Sequence, residues 1–140
     1  MRFDKLTTKF QQAINDAQSL AVGQDNQFIE PQHLLLALLQ QEEGGTASLL
    51  QRAGANVGGL LPALQKALER LPKVEGHGGE VSISRDLNNL LNLTDKDAQK
   101  RGDQFIASEL FLLAAAQDKG EAGRLLKEHG VDKAHLEQAI

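Results

Sequence analysis

Four histidines, at positions 33, 77, 129 and 135, are the first candidates for chemistry in this chain, because imidazole can exchange a proton or ligate a metal near neutral pH. Their spacing supports neither role. His129 and His135 are six apart, which places them on different faces of a helix, and Gly130 breaks the helix between them. His33 opens an apolar helix and His77 lies in a glycine-rich stretch, so all four read as surface or boundary residues. The Glu42-Glu43 pair falls at a helix C-terminus and reads as a solvated end rather than a carboxylate dyad. The chain has no Cys, which excludes thiolate nucleophiles, disulfides and sulfur-based zinc sites. The dipeptide Gly-Lys never occurs, so there is no Walker A phosphate cradle, and GxSxG and HExxH are both absent. No catalytic residue, metal ligand set or cofactor is therefore assigned to this chain, and a small stand-alone enzyme is disfavoured.

Charge and composition narrow the partners. With 15 basic and 19 acidic residues the formal net charge is −4, and the aromatic set is five Phe with no Trp or Tyr. Neither the phosphate-binding surface nor the stacking platforms of a nucleic-acid binder are present. Lys96, Lys100 and Arg101 form a small basic cluster, but Asp95, Asp97 and Asp103 interleave with it, and the region reads as a mixed, solvated face. The longest apolar run, 110–116, is seven residues, against the roughly 20 needed to cross a bilayer. The first ten residues, MRFDKLTTKF, are polar and charged where a secretory h-region should begin. No membrane contact is expected, and the lack of Cys fits a reducing, cytoplasmic location.

The 140 residues, 41% apolar, suit one domain, and the elements within it are helical. Leu6, Phe10, Ala13, Ile14, Ala17, Leu20 and Ala21 make one stripe at helical spacing. Thr7 or Thr8 caps that helix, the latter with Gln11 as a capping box, and Gly23 ends it. A second helix opens at Glu30-Pro31 and runs to about 41; being apolar all round, it is expected to be central and buried. Gly44-Gly45 stops it, Thr46 starts a short helix that ends at Gly54, and a fourth spans about 57–71. Residues 72–84 carry three glycines in four positions and read as an exposed connector. After Ser84 the pattern starts again.

A shift of 77 places Phe28-Ile29 on Phe105-Ile106, Phe10 on Leu87 and Ile14 on Leu91; a shift of 76 places Gly54 on Gly130 and Leu60 on Leu136. The sequence thus predicts an all-α fold, a tandem pseudo-twofold duplication of a four-helix unit. Its parts are repeat 1 at about 4–71, the connector at about 72–84 and repeat 2 at about 85–140. Each unit is too small to bury its own faces well, so the two should pack as one domain.

One apolar residue stands outside this pattern. On the helix after Ser84 the buried stripe is Leu87, Leu90, Leu91, Thr94 and Ala98, and Leu93 falls off its centre at 100° per residue. A lone exposed leucine is ordinary. Joined by Leu110 or other apolar atoms of the next helix, it would floor a groove, and apolar patches rimmed by polar groups tend to bind something. Asp103 and Glu109, in or beside the loop into that helix, are natural rim residues; their plainer roles are a turn and a helix N-terminus.

The segments LTTKFQQAINDAQSLAVGQDNQFIEPQHLLLALL, QKRGDQFIASELFLLAA and LPKVEGHGG resemble the N-terminal domains of the ClpB family of bacterial Clp-type AAA+ disaggregases, over essentially the whole chain. The resemblance implies an all-α accessory domain tethered to two ATPase modules in a hexameric ring. Such a ring threads unfolded or aggregated polypeptide through its pore with a DnaK-type chaperone system, in the cytoplasm, under stress. ATP and magnesium would belong to those ATPase modules, which this chain lacks, and the isolated domain would be a monomer. The implied role is substrate engagement, with Thr7, Asp103 and Glu109 on the rim and Leu93 and Leu110 in the groove. The alternative is docking of a folded adaptor, as in protease-associated Clp unfoldases. Asp97, one turn from Leu93, is a departure: it puts a charge where an extended apolar surface would prefer a leucine.

Overall fold

Hydroxyl side chains at 7 and 84 start the two long helices of the computed structural model, which describes residues 1–42, 45–74 and 80–140. Glu43, Gly44 and His77, and positions 75–79 of the expected connector, lie outside the described residues. Helix α1 (Thr8–Gly23) is capped by Thr7, whose Oγ1 accepts from the Phe10 amide at 3.3 Å. Thr7 rather than Thr8 is therefore the cap, and the Gln11 side-chain amide donates instead to the Leu6 carbonyl. Phe10, Ala13, Ala17 and Ala21 are the buried stripe. Strand β1 (Phe28–Ile29) leads into α2 (Pro31–Gln40), buried continuously from Pro31 to Leu38, the polar Gln32 and His33 included. Helices α3 (Thr46–Arg52) and α4 (Val57–Glu69) complete the first half. Strand β2 (Ser82–Ile83) precedes α5 (Arg85–Arg101), and α6 (Ser108–Ala116), α7 (Glu121–Glu128) and α8 (Lys133–Ala139) follow.

The two shifts recur in the backbone. Ser84 caps α5 by accepting from the Leu87 amide at 3.0 Å, as Thr7 does from Phe10. Gly54 and Gly130, 76 apart, both turn the chain with left-handed φ, 92° and 85°, a conformation that a Cβ would strain. Asn56 and Asp132 then cap α4 and α8, accepting from the amides of Gly59 and His135. The fold is all-α, a pseudo-twofold pair of four-helix units around one core. Phe10 and Phe111 meet near its centre, with ring centroids 6.1 Å apart.

Two small pairings join the halves by exchange. Ile29 pairs with Ile83 in the parallel β1–β2 ladder, and Leu6 pairs with Ile106 in a parallel bridge. The 77-residue shift turns one pairing into the other. Correspondingly, the Ser84 amide donates to the Ile29 carbonyl and the Thr7 amide to the Ile106 carbonyl, each at 3.0 Å. Each half thus ties the start of its first long helix to the lead-in of the other half's central helix. This differs from the expectation of a connector lying wholly outside: Ser82 and Ile83 are a strand, Ser84 is buried, and the Val74 amide donates to the Asp25 carbonyl at 2.8 Å.

Asp95 is a second departure, since it belongs to no solvated face. It is 6% exposed and receives the Arg2 guanidinium at 2.6 and 2.9 Å, the Arg2 backbone amide at 3.0 Å and the Gln99 side-chain amide at 3.1 Å. These bonds, the Arg2 guanidinium foremost, outweigh burial and hold its carboxyl near 2 rather than the ordinary 3.8. With the folded value below the unfolded one, the contribution is fully present above pH 3.8 and is lost as pH falls towards 2. Because the arginine end is well exposed, Asp95→Asn should cost only about 1–2 kcal/mol near neutrality. Hydrogen exchange checks the site: the Thr7 and Ile106 amides should exchange faster in the variant, and unchanged protection there would show that Arg2–Asp95 does not hold the N-terminal segment down.

Candidate functional site

Leu93 sits midway along α5, 54% exposed. It opens into a cleft of about 580 Å³ between α5, the C-terminal end of α6 and α8, where edges of Leu90, Leu113 and Ala114 form the floor. The fold brings Lys119, Lys133 and Glu137 to this cleft, residues that the sequence reading did not connect with Leu93. Asp97 also lines it, yet as a paired charge: Arg101 donates to Asp97 at 3.1 Å and to Glu137 at 3.0 Å.

The other expected site residues lie elsewhere. Leu110, expected on the groove floor, is 4% exposed and belongs to the core, because α6 packs against helices on several sides and buries Leu110 to Ala115 without a break. The apolar edges that α6 shows to the Leu93 cleft are those of Leu113 and Ala114. Thr7 is half-buried, and both its amide and its hydroxyl are used within the fold. Asp103 is exposed in the turn after Gly102, its amide held by the Ala98 carbonyl. Glu109 is half-buried in the first turn of α6, on a separate cleft of about 420 Å³ with Gly45, Leu49 and Arg52. Thr7, Asp103 and Glu109 gather around the α5–α6 turn, since Thr7 bonds Ile106 within it. Leu93 is nine residues before Gly102, about 13 Å along α5, and none of those three residues lines its cleft.

The 77-residue shift also reveals a second groove. Asp16, Ser19, Leu20, Ala37 and Gln40 line a hollow of about 340 Å³ on α1 and α2. Their counterparts Leu93, Lys96, Asp97, Ala114 and Gln117 all line the Leu93 cleft. The repeat in the sequence thus relates two surface grooves.

His33 corrects another expectation. It is fully buried, not at a boundary. The Glu30 amide donates to its Nδ1 at 2.8 Å, so the ring proton sits on Nε2, which donates to Asn26 Oδ1 at 2.9 Å. Asn26 Nδ2 in turn donates to the Pro72 carbonyl at 3.3 Å. Burial lowers the His33 pKa to about 4. Both ring nitrogens are used: Nδ1 caps the start of α2, and Nε2, through Asn26, ties α2 to the chain after α4.

Among the described residues, no group of three or more His, Cys, Asp or Glu could hold a metal ion, and no helix is long and apolar enough to cross a membrane. The described chain is an all-α duplicated domain with shallow surface clefts. Residues 5–129 match the Clp repeat (R) N-terminal domain, and the chain belongs to that family. It is 52% identical over all 140 residues to the chaperone protein ClpB of Pseudomonas putida and 51% identical to that of Vibrio cholerae, spanning 16% of each protein's length. The fold is similar to the Hsp104 N-terminal domain from Candida albicans, with a TM-score of 0.84 at 24% identity, covering 96% of this chain and 88% of that one. The chain is thus a Clp N-terminal domain, a non-catalytic module that is similar over its whole length to part of the ClpB chaperones.

Proposed function

We propose that this domain makes first contact with unfolded or aggregated polypeptide in the cytoplasm, on behalf of a ring-forming, DnaK-assisted disaggregase, and that Leu93 and its cleft are the point of contact. The exposure of Leu93 in a formed cleft, off the buried stripe of α5, is the observation that carries this reading. Relatedness to ClpB chaperones supports it. Thr7, Asp103 and Glu109 would contribute from the α5–α6 turn, at one end of the path that a bound segment follows, while Leu110 supports the surface from beneath.

Such contact should be weak. Covering about 200–400 Å² of apolar surface at about 25 cal/mol per Å² gives roughly 5–10 kcal/mol gross, against association costs of about 4–15 kcal/mol, so affinity should be micromolar or weaker. Weak contact suits a surface that must release its catch to a pore. Leu93→Asp should reduce binding of an unfolded model protein about tenfold or more, roughly 1.4 kcal/mol, while the exposed position leaves stability unchanged. Amide chemical-shift changes on titration provide the check. Perturbations confined to another face, or full binding by the variant, would remove the cleft from the proposal. Tight binding of a folded adaptor at the cleft, with none of unfolded protein, would favour adaptor docking instead.

A further inference from the structure

We infer that the Leu93 cleft selects polypeptide segments in which apolar side chains are flanked by Asp or Glu. This rests on the engagement role proposed above and specifies its substrate chemistry. The comparison that carries it is internal to the molecule. The two grooves related by the 77-residue shift keep the same residue types at two lining positions, Ala37 and Ala114, Gln40 and Gln117. They differ where Asp16 becomes Leu93, Ser19 becomes Lys96 and Leu20 becomes Asp97. The leucine and the carboxylate thus exchange places, with Leu20 half-buried and Leu93 exposed, and the Leu93 cleft gains a lysine where the hollow has no cation.

The surrounding charges extend that difference. Five basic and three acidic side chains line the Leu93 cleft, a surplus of two positive charges in a chain whose net charge is −4. Two of the three acids, Asp97 and Glu137, are held by Arg101. Among the described residues Lys96, Lys100, Lys119 and Lys133 have no ion-pair partner, so their charges face solvent around Leu93. Helix stability accounts for Lys100, in the last turn of α5, but not for Lys133, in the first turn of α8, where the helix dipole disfavours a cation. An apolar contact ringed by unpaired lysines is complementary to an apolar residue with neighbouring carboxylates. Nucleic acid fits less well, since no aromatic side chain lines the cleft and carboxylates do.

The test uses three short unstructured peptides with the same apolar residues, flanked by Asp/Glu, by Ser or by Lys, titrated into the 140-residue chain at low ionic strength. The acidic peptide should bind about tenfold more tightly than the basic one, with the neutral peptide between, and the gap should close at high salt. The double variant Lys96→Ser, Lys119→Ser should weaken the acidic peptide alone, and Leu93→Asp should weaken the neutral peptide as well as the acidic one. Equal binding of the three peptides, all lost in Leu93→Asp, would overturn the selectivity and leave the engagement role standing. Indifference of every peptide to Leu93→Asp would overturn both. An oligonucleotide that binds as well as the acidic peptide would show that the cleft reads charge alone and overturn the inference.

Discussion

Gly123→Ala should destabilise the chain by about 4 kcal/mol or more, a loss large enough to leave a marginally stable domain mostly unfolded. In an ordinary helix the same change is favourable by about 1 kcal/mol, because alanine is the better helix former. Here the added methyl has no space. A Cβ at 123 would lie 2.7 Å from the carbonyl carbon of Asp118 and closer still to its oxygen, with the Ala115 carbonyl oxygen at 3.2 Å. All three are backbone atoms, so no side-chain rotation relieves the contact. Helix α7 would have to move bodily away from the end of α6, lifting Leu125 and Leu126, now 5% and 1% exposed, off the core. Burial lost from two leucines together with overpacking strain decides the sign against the propensity gain.

The first half supplies the control. The 76-residue shift relates Gly123 to Ala47, a half-buried position on α3 that already carries the methyl group. Ala47→Gly should cost only about 1 kcal/mol, the propensity term alone. Urea denaturation of the two variants beside the parent chain measures both. A Gly123→Ala protein within about 1 kcal/mol of the parent would mean that α7 packs against α6 differently from the arrangement described.

Part of this fold could be read locally because several helix starts carry their own signal. Thr7, Ser84, Asn56 and Asp132 are side chains whose oxygens satisfy amides three residues on, and a cap works over that distance whatever the rest of the chain does. The 76–77 spacing of Phe28 and Phe105, or Gly54 and Gly130, was legible because the same residue types recur in the same order. What escaped depends on residues far apart in sequence. Asp95 looked solvated beside Lys96 because its partner, Arg2, is 93 positions away. The exchanged pairings involve only two residues at a time, too few to show a period of two. Leu110 was misplaced because α6 is apolar on every side, so no stripe distinguishes inside from outside. Leu93 was legible because α5 does have a stripe, but the lysines that ring it come from α5, the turn after α6, and α8, and only tertiary packing collects them.

His33 should make the domain acid-sensitive well above the pH at which carboxylates protonate. In the folded chain its pKa is lowered to about 4, and in the unfolded chain it is 6.5. Above pH 6.5 the ring is neutral in both states and has no effect on the pH dependence. Between pH 6.5 and 4 the unfolded chain takes up a proton that the folded chain refuses, so stability falls with pH, by about 3 kcal/mol in all. Refusal has a geometric cause as well as burial: Nδ1 accepts the Glu30 amide, and protonating it would set two N–H groups against each other. Asp95 acts in a separate window, below 3.8, so the two can be distinguished. His33→Gln is the informative variant, because glutamine at the third position of α2 can still accept from the Glu30 amide, as in a capping box, without titrating. Denaturant midpoints measured from pH 7 to 4.5 should fall steeply for the parent chain and much less for His33→Gln, and the His33 ring signal should titrate below pH 5 in NMR spectra. Parallel slopes for the two proteins would show that protonation of His33 is not what the folded chain resists.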